Sequence, residues 1–313
     1  PSSVFTLLAL LALALPVAAA PCGDDVDGRD VPCACGDVVV SDVVLGDDPV
    51  TRVACRGDGL RVQTPPGRSG LRVDLAGAHL RGGSRGIGLR VLAGGDGGVR
   101  ILSSGAPAVV EGFRDGLVSQ ASRHGVAEVV GLRLARQTRD GVRIFGDGLL
   151  LRDVSVAGAG RDGVFVRGDG WVVEDVDVRQ NGRHGLAVMG TGNAVRAAQA
   201  GASVRAEANG GDGVRVWGDA NLLFDCVAAG NRGSGVALNG VRLDVRRCEA
   251  FANADGGMRG SASQSRFFGN LAFDNVEAGI GVHGHAVFDA GANVAAGSIA
   301  APYECRLGLE ACR

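Results

Sequence analysis

Seven glycines set the period of this chain. Gly141, Gly163 and Gly185 stand 22 residues apart, as do Gly213, Gly235, Gly257 and Gly279, with one step of 28 between the two runs. Asn181, Asn209, Asn231, Asn253 and Asn275 each lie four residues ahead of a glycine and keep the same long step. Two columns that skip together define one structural unit stacked many times.

The residues after each glycine alternate, as in Val164, Phe165, Val166 and Arg167, and a second alternating run, Val176, Asp177 and Val178, follows a Gly-Asp-Gly turn. Period-two alternation marks strands. A unit of 22 residues is too short for a helix, a strand and two loops. Short strands joined by Gly, Asn and Asp turns then wind so that each pairs with its equivalent one turn on. The expected fold is all-β: a single-stranded parallel β-helix, or solenoid, of about ten coils over residues 37–300. Val154, Val176, Val204, Cys226 and Cys248 form one interior column, and the Asn column belongs at a turn, bonding to its neighbours above and below.

Residues 1–19 read as a signal peptide: VFTLLALLALALPVAAA is apolar, ends in small residues and is short for a membrane span. Cleavage after Ala19 is favoured, with a lipid anchor on Cys22 as the rival. The expected location is secreted, extracellular or periplasmic, with no membrane span after signal removal. Eight cysteines suit that compartment. Cys22, Cys33, Cys35 and Cys55 staple an N-terminal cap over residues 20–36 and the coils beside it, and Cys305 and Cys312 a C-terminal cap over 301–313. Cys226 and Cys248 are one period apart. Their Cβ vectors run side by side in stacked parallel strands, which favours two buried free thiols over a bridge.

CGDVVVSDVVLGDDP, followed by LRVDLAGAHLRG, resembles the opening of bacterial exported β-helix proteins. NGRHGLAV, NGGDGVRV and NRGSGVAL are similar to the repeats of the right-handed, pectate-lyase-like β-helix superfamily. The resemblance spans most of the mature chain. It implies a right-handed helix and, for many members, association with carbohydrate, whereas other members have no known activity.

The catalytic patterns of that superfamily do not follow. Lyases of this fold carry an Arg or Lys base near an R-x-P-x-x-R run, yet no proline lies between Pro107 and Pro302 and all 32 basic residues are Arg. The lack of lysine rules out the R-I-K of polygalacturonases, although VHGH stands at 282–285, and the lack of proline rules out the D-P-H of alginate epimerases. Whether the chain is an enzyme is left open. No cofactor and no metal are expected; DDVDGRD at 24–30 lacks the distal Glu of a calcium loop and reads as an exposed acidic turn.

What remains is a polar edge and a face. Arg114, Arg139, Arg161 and Arg183 form one column, and Asp115, Asp140, Asp162, His184 and Asp212 the next, with His184 breaking a run of aspartates. Asp before Gly is ordinary turn chemistry. With the valines inward, Arg143, Phe145, Phe165, Arg167, Arg215 and Trp217 point outward. In a chain with only 13 aromatics, three on one face suit sugar stacking, and the arginines suit acidic sugars. These six residues and His184 are the candidate substrate-binding set, unless the six-residue insertion before Gly213 folds over them. The expected partner of this monomer is polysaccharide. A net charge of −2 argues against nucleic acid or an anionic membrane. The alternative is a non-catalytic surface scaffold with no carbohydrate site.

Overall fold

The computed structural model describes residues 19–93, 95–119, 125–199, 203–297, 305–308 and 310–311. The expected signal segment and most of the C-terminal cap therefore lie outside the described residues. Within them the chain forms a parallel β-helix with two sheets, of 15 and 20 strands. Both outermost strands of the first sheet, Arg29–Val31 and Glu310–Ala311, pair antiparallel with their neighbours and close its edges. The other thirteen of the 15 stack in parallel. This exceeds the expected ten: eleven of the strands lie within residues 37–300, and the stack also takes in Pro21, which pairs with Val38, and Cys305–Leu307, which pairs with Ile280–Val282. The acidic segment at 24–30 forms the tip of the N-terminal hairpin, whose turn is Asp27 and Gly28, both left-handed at φ 51° and 78°.

Most coils carry three strands where two runs were expected; in the coils that contain Asp115–Ser119 and Val142–Phe145 the second run is a single strand, Val126–Ala135 and Leu150–Ala157. One coil passes through Val164–Arg167, Val172–Glu174 and Asp177–Arg179. The extra strand exists because the second run is bent at Asp175, which takes a left-handed φ of 50°. Asp153, Asp225 and Arg247 repeat that bend, at φ 52°, 56° and 50°. A second left-handed corner precedes the Asn column, at Gln180, Ala208, Gly230, Ala252 and Asp274, and a third falls at Gly170, Gly192, Ala220 and Arg242. Three such corners close a coil. The strand after each column glycine enters the first sheet, and the other two enter the second.

Registration is maintained across the long step: Val164 faces Leu186, and Leu186 faces Val214. Val142, Val164, Leu186, Val214, Val236, Met258 and Ile280 thus form a wholly buried column. Burying such side chains supplies the main driving force for stacking. The expected column Val154, Val176, Val204, Cys226 and Cys248 is likewise buried and lies just after the first of the left-handed corners.

Cys226 and Cys248 are bonded to each other rather than free. Their Cα atoms are 4.5 Å apart, inside the range a disulfide spans, so stacking brings the sulfurs within reach. Cys22–Cys33 and Cys35–Cys55 staple the N-terminal end, and Cys305 is also disulfide-bonded.

The Gly and Asn columns are two halves of one device. The Asn181 carboxamide oxygen accepts the Ala159 N–H at 3.0 Å, and that of Asn209 accepts the Asn181 N–H at 3.1 Å, so each rung holds the one before it. These carboxamides lie where a Cβ on the glycine of the preceding coil would project, 2.5 Å away for Gly163 and Asn181. Shorter ladders, Asn193 to Asn221 and Asn270 to Asn293, serve the other two corners.

The described residues of the insertion ahead of Gly213 begin beside the second sheet, not on the candidate face. The insertion leaves the coil after Arg196 and returns at Val204, and its described residues Ala197 and Ala198 border Arg196, Leu222 and Phe224 of the second sheet. The register of the Asn column requires the extra residues to fall before Asn209, but the column says nothing about which side of the coil they occupy.

Candidate functional site

Strand alternation places two outward columns on the first sheet. One runs Arg143, Phe165, Ala187, Arg215, Ala237, Arg259; the other runs Phe145, Arg167, Met189, Trp217, Asn239, Ser261. Successive rungs lie about 4.8 Å apart. Phe145 and Phe165 pack at 5.9 Å between ring centroids, tilted by 57°, and the Arg143 guanidinium lies 5.3 Å from the Phe145 centroid and 6.0 Å from that of Phe165. Arg167 is exposed beside them and makes none of the ion pairs seen among the described residues.

One rung on, Ala187 and Met189 lower the surface, and at the next rung Arg215 and Trp217 restore it. The Arg215 guanidinium lies 5.6 Å from the Trp217 ring, which is 47% exposed. Beyond them Ala237 is small enough to leave a hollow of about 200 Å³, lined by Arg215, Trp217, Ser234, Ala237, Asn239 and Arg259. Arg259 is held by Asp255 and Glu277. An aromatic wall, polar amide and hydroxyl groups and a cation around a small depression are the elements that hold a sugar ring. Six of the seven sequence-derived residues thus share one continuous face, in two clusters: Arg143, Phe145, Phe165 and Arg167 in one, Arg215 and Trp217 in the other. Ser234, Ala237, Asn239 and Arg259 were missed. The same columns continued by 22 residues reach Ala237, Asn239 and Arg259, but a hollow at an alanine depends on the bulk of its neighbours.

His184 belongs to the corner beside this face, and it is buried rather than exposed, with only 10% of its side chain accessible. So are three of the four aspartates of its column: Asp115, Asp140 and Asp162 are 0%, 2% and 3% exposed, whereas Asp212 is partly exposed. Burial follows from a hydrogen-bonded ladder. Asp140 accepts the Asp162 N–H at 3.4 Å, Asp162 the His184 N–H at 3.2 Å, and Asp212 the Ser234 N–H at 3.0 Å. Arg139 pairs with Asp115 at 2.8 Å and Arg183 with Asp162 at 3.2 Å. Asp140 has no guanidinium closer than 3.6 Å among the described residues. Burial raises its pKa above the ordinary carboxylate value, against the attraction of Arg161 and with the repulsion of Asp162 and Asp115.

At the His184 rung the imidazole replaces a carboxylate: its Nδ1 receives the Asp212 N–H at 3.0 Å. Burial depresses the His184 pKa, outweighing the pull of Asp212 and Asp162, and Arg215 and Arg183 add to the depression. The ring is therefore neutral at pH 7. The unfolded imidazole titrates near its ordinary 6.5 and the folded one lower, so unfolding takes up a proton once the pH drops below that value. Stability is retained above this pH, falls as the pH is lowered through it, and stops falling below the folded pKa. His184→Asn, whose carboxamide oxygen can take the place of Nδ1, is expected to remove this contribution. The difference in melting temperature between wild type and variant, measured from pH 7 to pH 5, should shift in favour of the variant.

Stacked coils with three hydrogen-bonded corners and buried aliphatic columns define a right-handed parallel β-helix. Residues 140–293 match the family described as "Right handed beta helix region". The periplasmic alginate epimerase AlgG is similar in structure at 13% identity, over 82% of this chain and 73% of its own, with a TM-score of 0.46. The Dettilon tailspike protein (gp208) is 12% identical over 85% of this chain and 61% of its own, with a TM-score of 0.51. The Azotobacter vinelandii mannuronan C-5 epimerase AlgE4 A-module is 15% identical over 84% and 85%, with a TM-score of 0.43. At these identities the likeness is one of fold. Among curated proteins, none matches the chain in sequence.

Proposed function

We propose that this is an exported protein that binds extracellular or cell-envelope polysaccharide along the outward face of its first sheet. The observation that carries the reading is the Trp217 hollow: a half-exposed indole beside a guanidinium, with Asn239 at its rim. The Phe145–Phe165 pair and Arg167 lie two to three rungs away on the same face, a spacing of about 10–14 Å that suits rings two or three apart on one glycan chain. Buried disulfides support export, since such bonds persist in oxidising compartments. Binding is favoured over hydrolysis, because Asp140 and Asp162 are buried and committed to the corner ladder.

Trp217→Ala and Arg167→Ala are each expected to weaken binding about ten-fold or more on a glycan array, through lost stacking and a lost charged hydrogen bond. Arg266→Ala, on the second sheet, is the control and should bind as wild type does. Binding unchanged by both first-sheet variants would remove this face from the account.

A further inference from the structure

The His184 ring has one lone pair and two donors facing it. The Asp212 N–H meets Nδ1 at 3.0 Å, and Arg215 Nη1 meets Nε2 at the same 3.0 Å. A neutral imidazole accepts at one nitrogen only, and a guanidinium never accepts. The Asp212 N–H is held by the backbone of the ladder and cannot turn away, whereas the Arg215 side chain can. The lone pair is thus assigned to Nδ1, and the Nε2–H stands donor to donor with Arg215. The carboxylate of Asp212 does not resolve this: its Oδ2 lies beside Nδ1, at 3.4 Å, and 3.9 Å from Nη1, rather than between Nε2 and the guanidinium, and its Oδ1 accepts the Ser234 N–H. Two converging donors, one on a side chain nine-tenths buried, call for an acceptor that touches both. Arg215 has room to receive it, since its lateral neighbours in the column are Ala187 and Ala237.

We propose that His184 Nε2–H and the Arg215 guanidinium form an oxyanion subsite at the rim of the Trp217 hollow, holding a carboxylate or sulfate group on the sugar bound there. The subsite rests on the glycan reading of that hollow and adds a demand for one negative charge at one place. It gives the break in the aspartate column a purpose. An aspartate at 184 would serve the ladder equally well, as Asp162 does one rung earlier, but would present Arg215 with a carboxylate and fill the subsite from within.

That difference separates a structural role from a binding one. The probes, titrated into the intact chain, are sodium glucuronate, its methyl ester and glucose 6-sulfate, followed by the imidazole ¹⁵N signals, with that of His184 assigned by its loss in His184→Asp. In wild type the charged sugars are expected to shift the His184 signal saturably and to bind about ten-fold more tightly than the neutral ester. A response to glucuronate alone identifies a uronate, one to the sulfate alone a sulfate ester, and one to both a site that accepts either charge; all three support the subsite. His184→Asp should keep the wild-type melting temperature at pH 7 and lose the preference for charge, while its Trp217 fluorescence still responds to the ester. Equal binding of acid and ester by wild type, or a preference that survives in His184→Asp, would overturn the oxyanion subsite and leave the hollow as a neutral-sugar site. No response of Trp217 to any probe in either protein would overturn the subsite together with the glycan reading of the hollow.

Discussion

Asn231→Ala is expected to destabilise the helix by about 3–5 kcal/mol, a large effect for the truncation of one side chain. The Asn231 oxygen accepts the Asn209 N–H at 3.0 Å and the Asn209 carboxamide at 2.9 Å, while its own nitrogen donates to the Ala206 carbonyl at 2.9 Å and to Asn253 at 3.0 Å. The residue is 1% exposed, so water does not replace what is lost. Alanine leaves the Asn209 N–H and the Ala206 carbonyl buried without these partners, each at a cost of about 1–3 kcal/mol. The ladder also couples coils beyond nearest neighbours, since every rung positions the acceptor for the last. Urea denaturation followed by far-ultraviolet circular dichroism should show a lower midpoint. An unchanged midpoint would mean that the ladder contributes little to stability.

Gly213→Ala is expected to cost about 2–4 kcal/mol, although alanine is ordinarily well tolerated in strands and turns. The reason is proximity rather than backbone angle. A Cβ at this position falls 2.6 Å from the Asn231 carboxamide nitrogen, 2.7 Å from the Gly235 carbonyl oxygen and 3.0 Å from the Ala228 methyl. The first two belong to the ladder and to the strand pairing of the next coil, so neither moves without breaking a hydrogen bond. Because both substitutions act on the same carboxamide, the double variant should lose less than the sum of the two single losses. A double-mutant cycle in urea measures this, and full additivity would contradict the link between the columns.

That link explains why the fold was legible from the chain. In-register parallel stacking makes every coil solve the same packing problem, so Gly163 and Asn181, Gly213 and Asn231, reappear as columns. The outward alternation of Arg143, Phe145, Phe165, Arg167, Arg215 and Trp217 was legible for the same reason. Other features leave no such trace. The corner that splits the second run is occupied by Asp175, Asp225 and Arg247 rather than by glycine, so the third strand of these coils has no glycine turn signature. The aspartates before the glycines resemble exposed turn residues, and only the stack reveals that each carboxylate is taken by a backbone N–H of the next coil. The pairing of Cys226 with Cys248 turns on a separation of 4.5 Å that spacing alone does not supply. Likewise the hollow at Ala237 exists through its neighbours: the same residue type at Ala187, between Phe165 and Arg215, is 3% exposed.

The proposed glycan site runs along the first sheet across the rungs from Phe145 to Asn239. Carbene footprinting of the intact chain, with and without an oligosaccharide selected on the array, tests it without any substitution. Protection is expected over Val142–Phe145, Val164–Arg167, Val214–Trp217 and Val236–Val241, with Arg266–Phe268 and Leu271–Phe273 of the second sheet labelled equally in both states. Protection confined to the second sheet, with the first-sheet strands unchanged, would contradict the account.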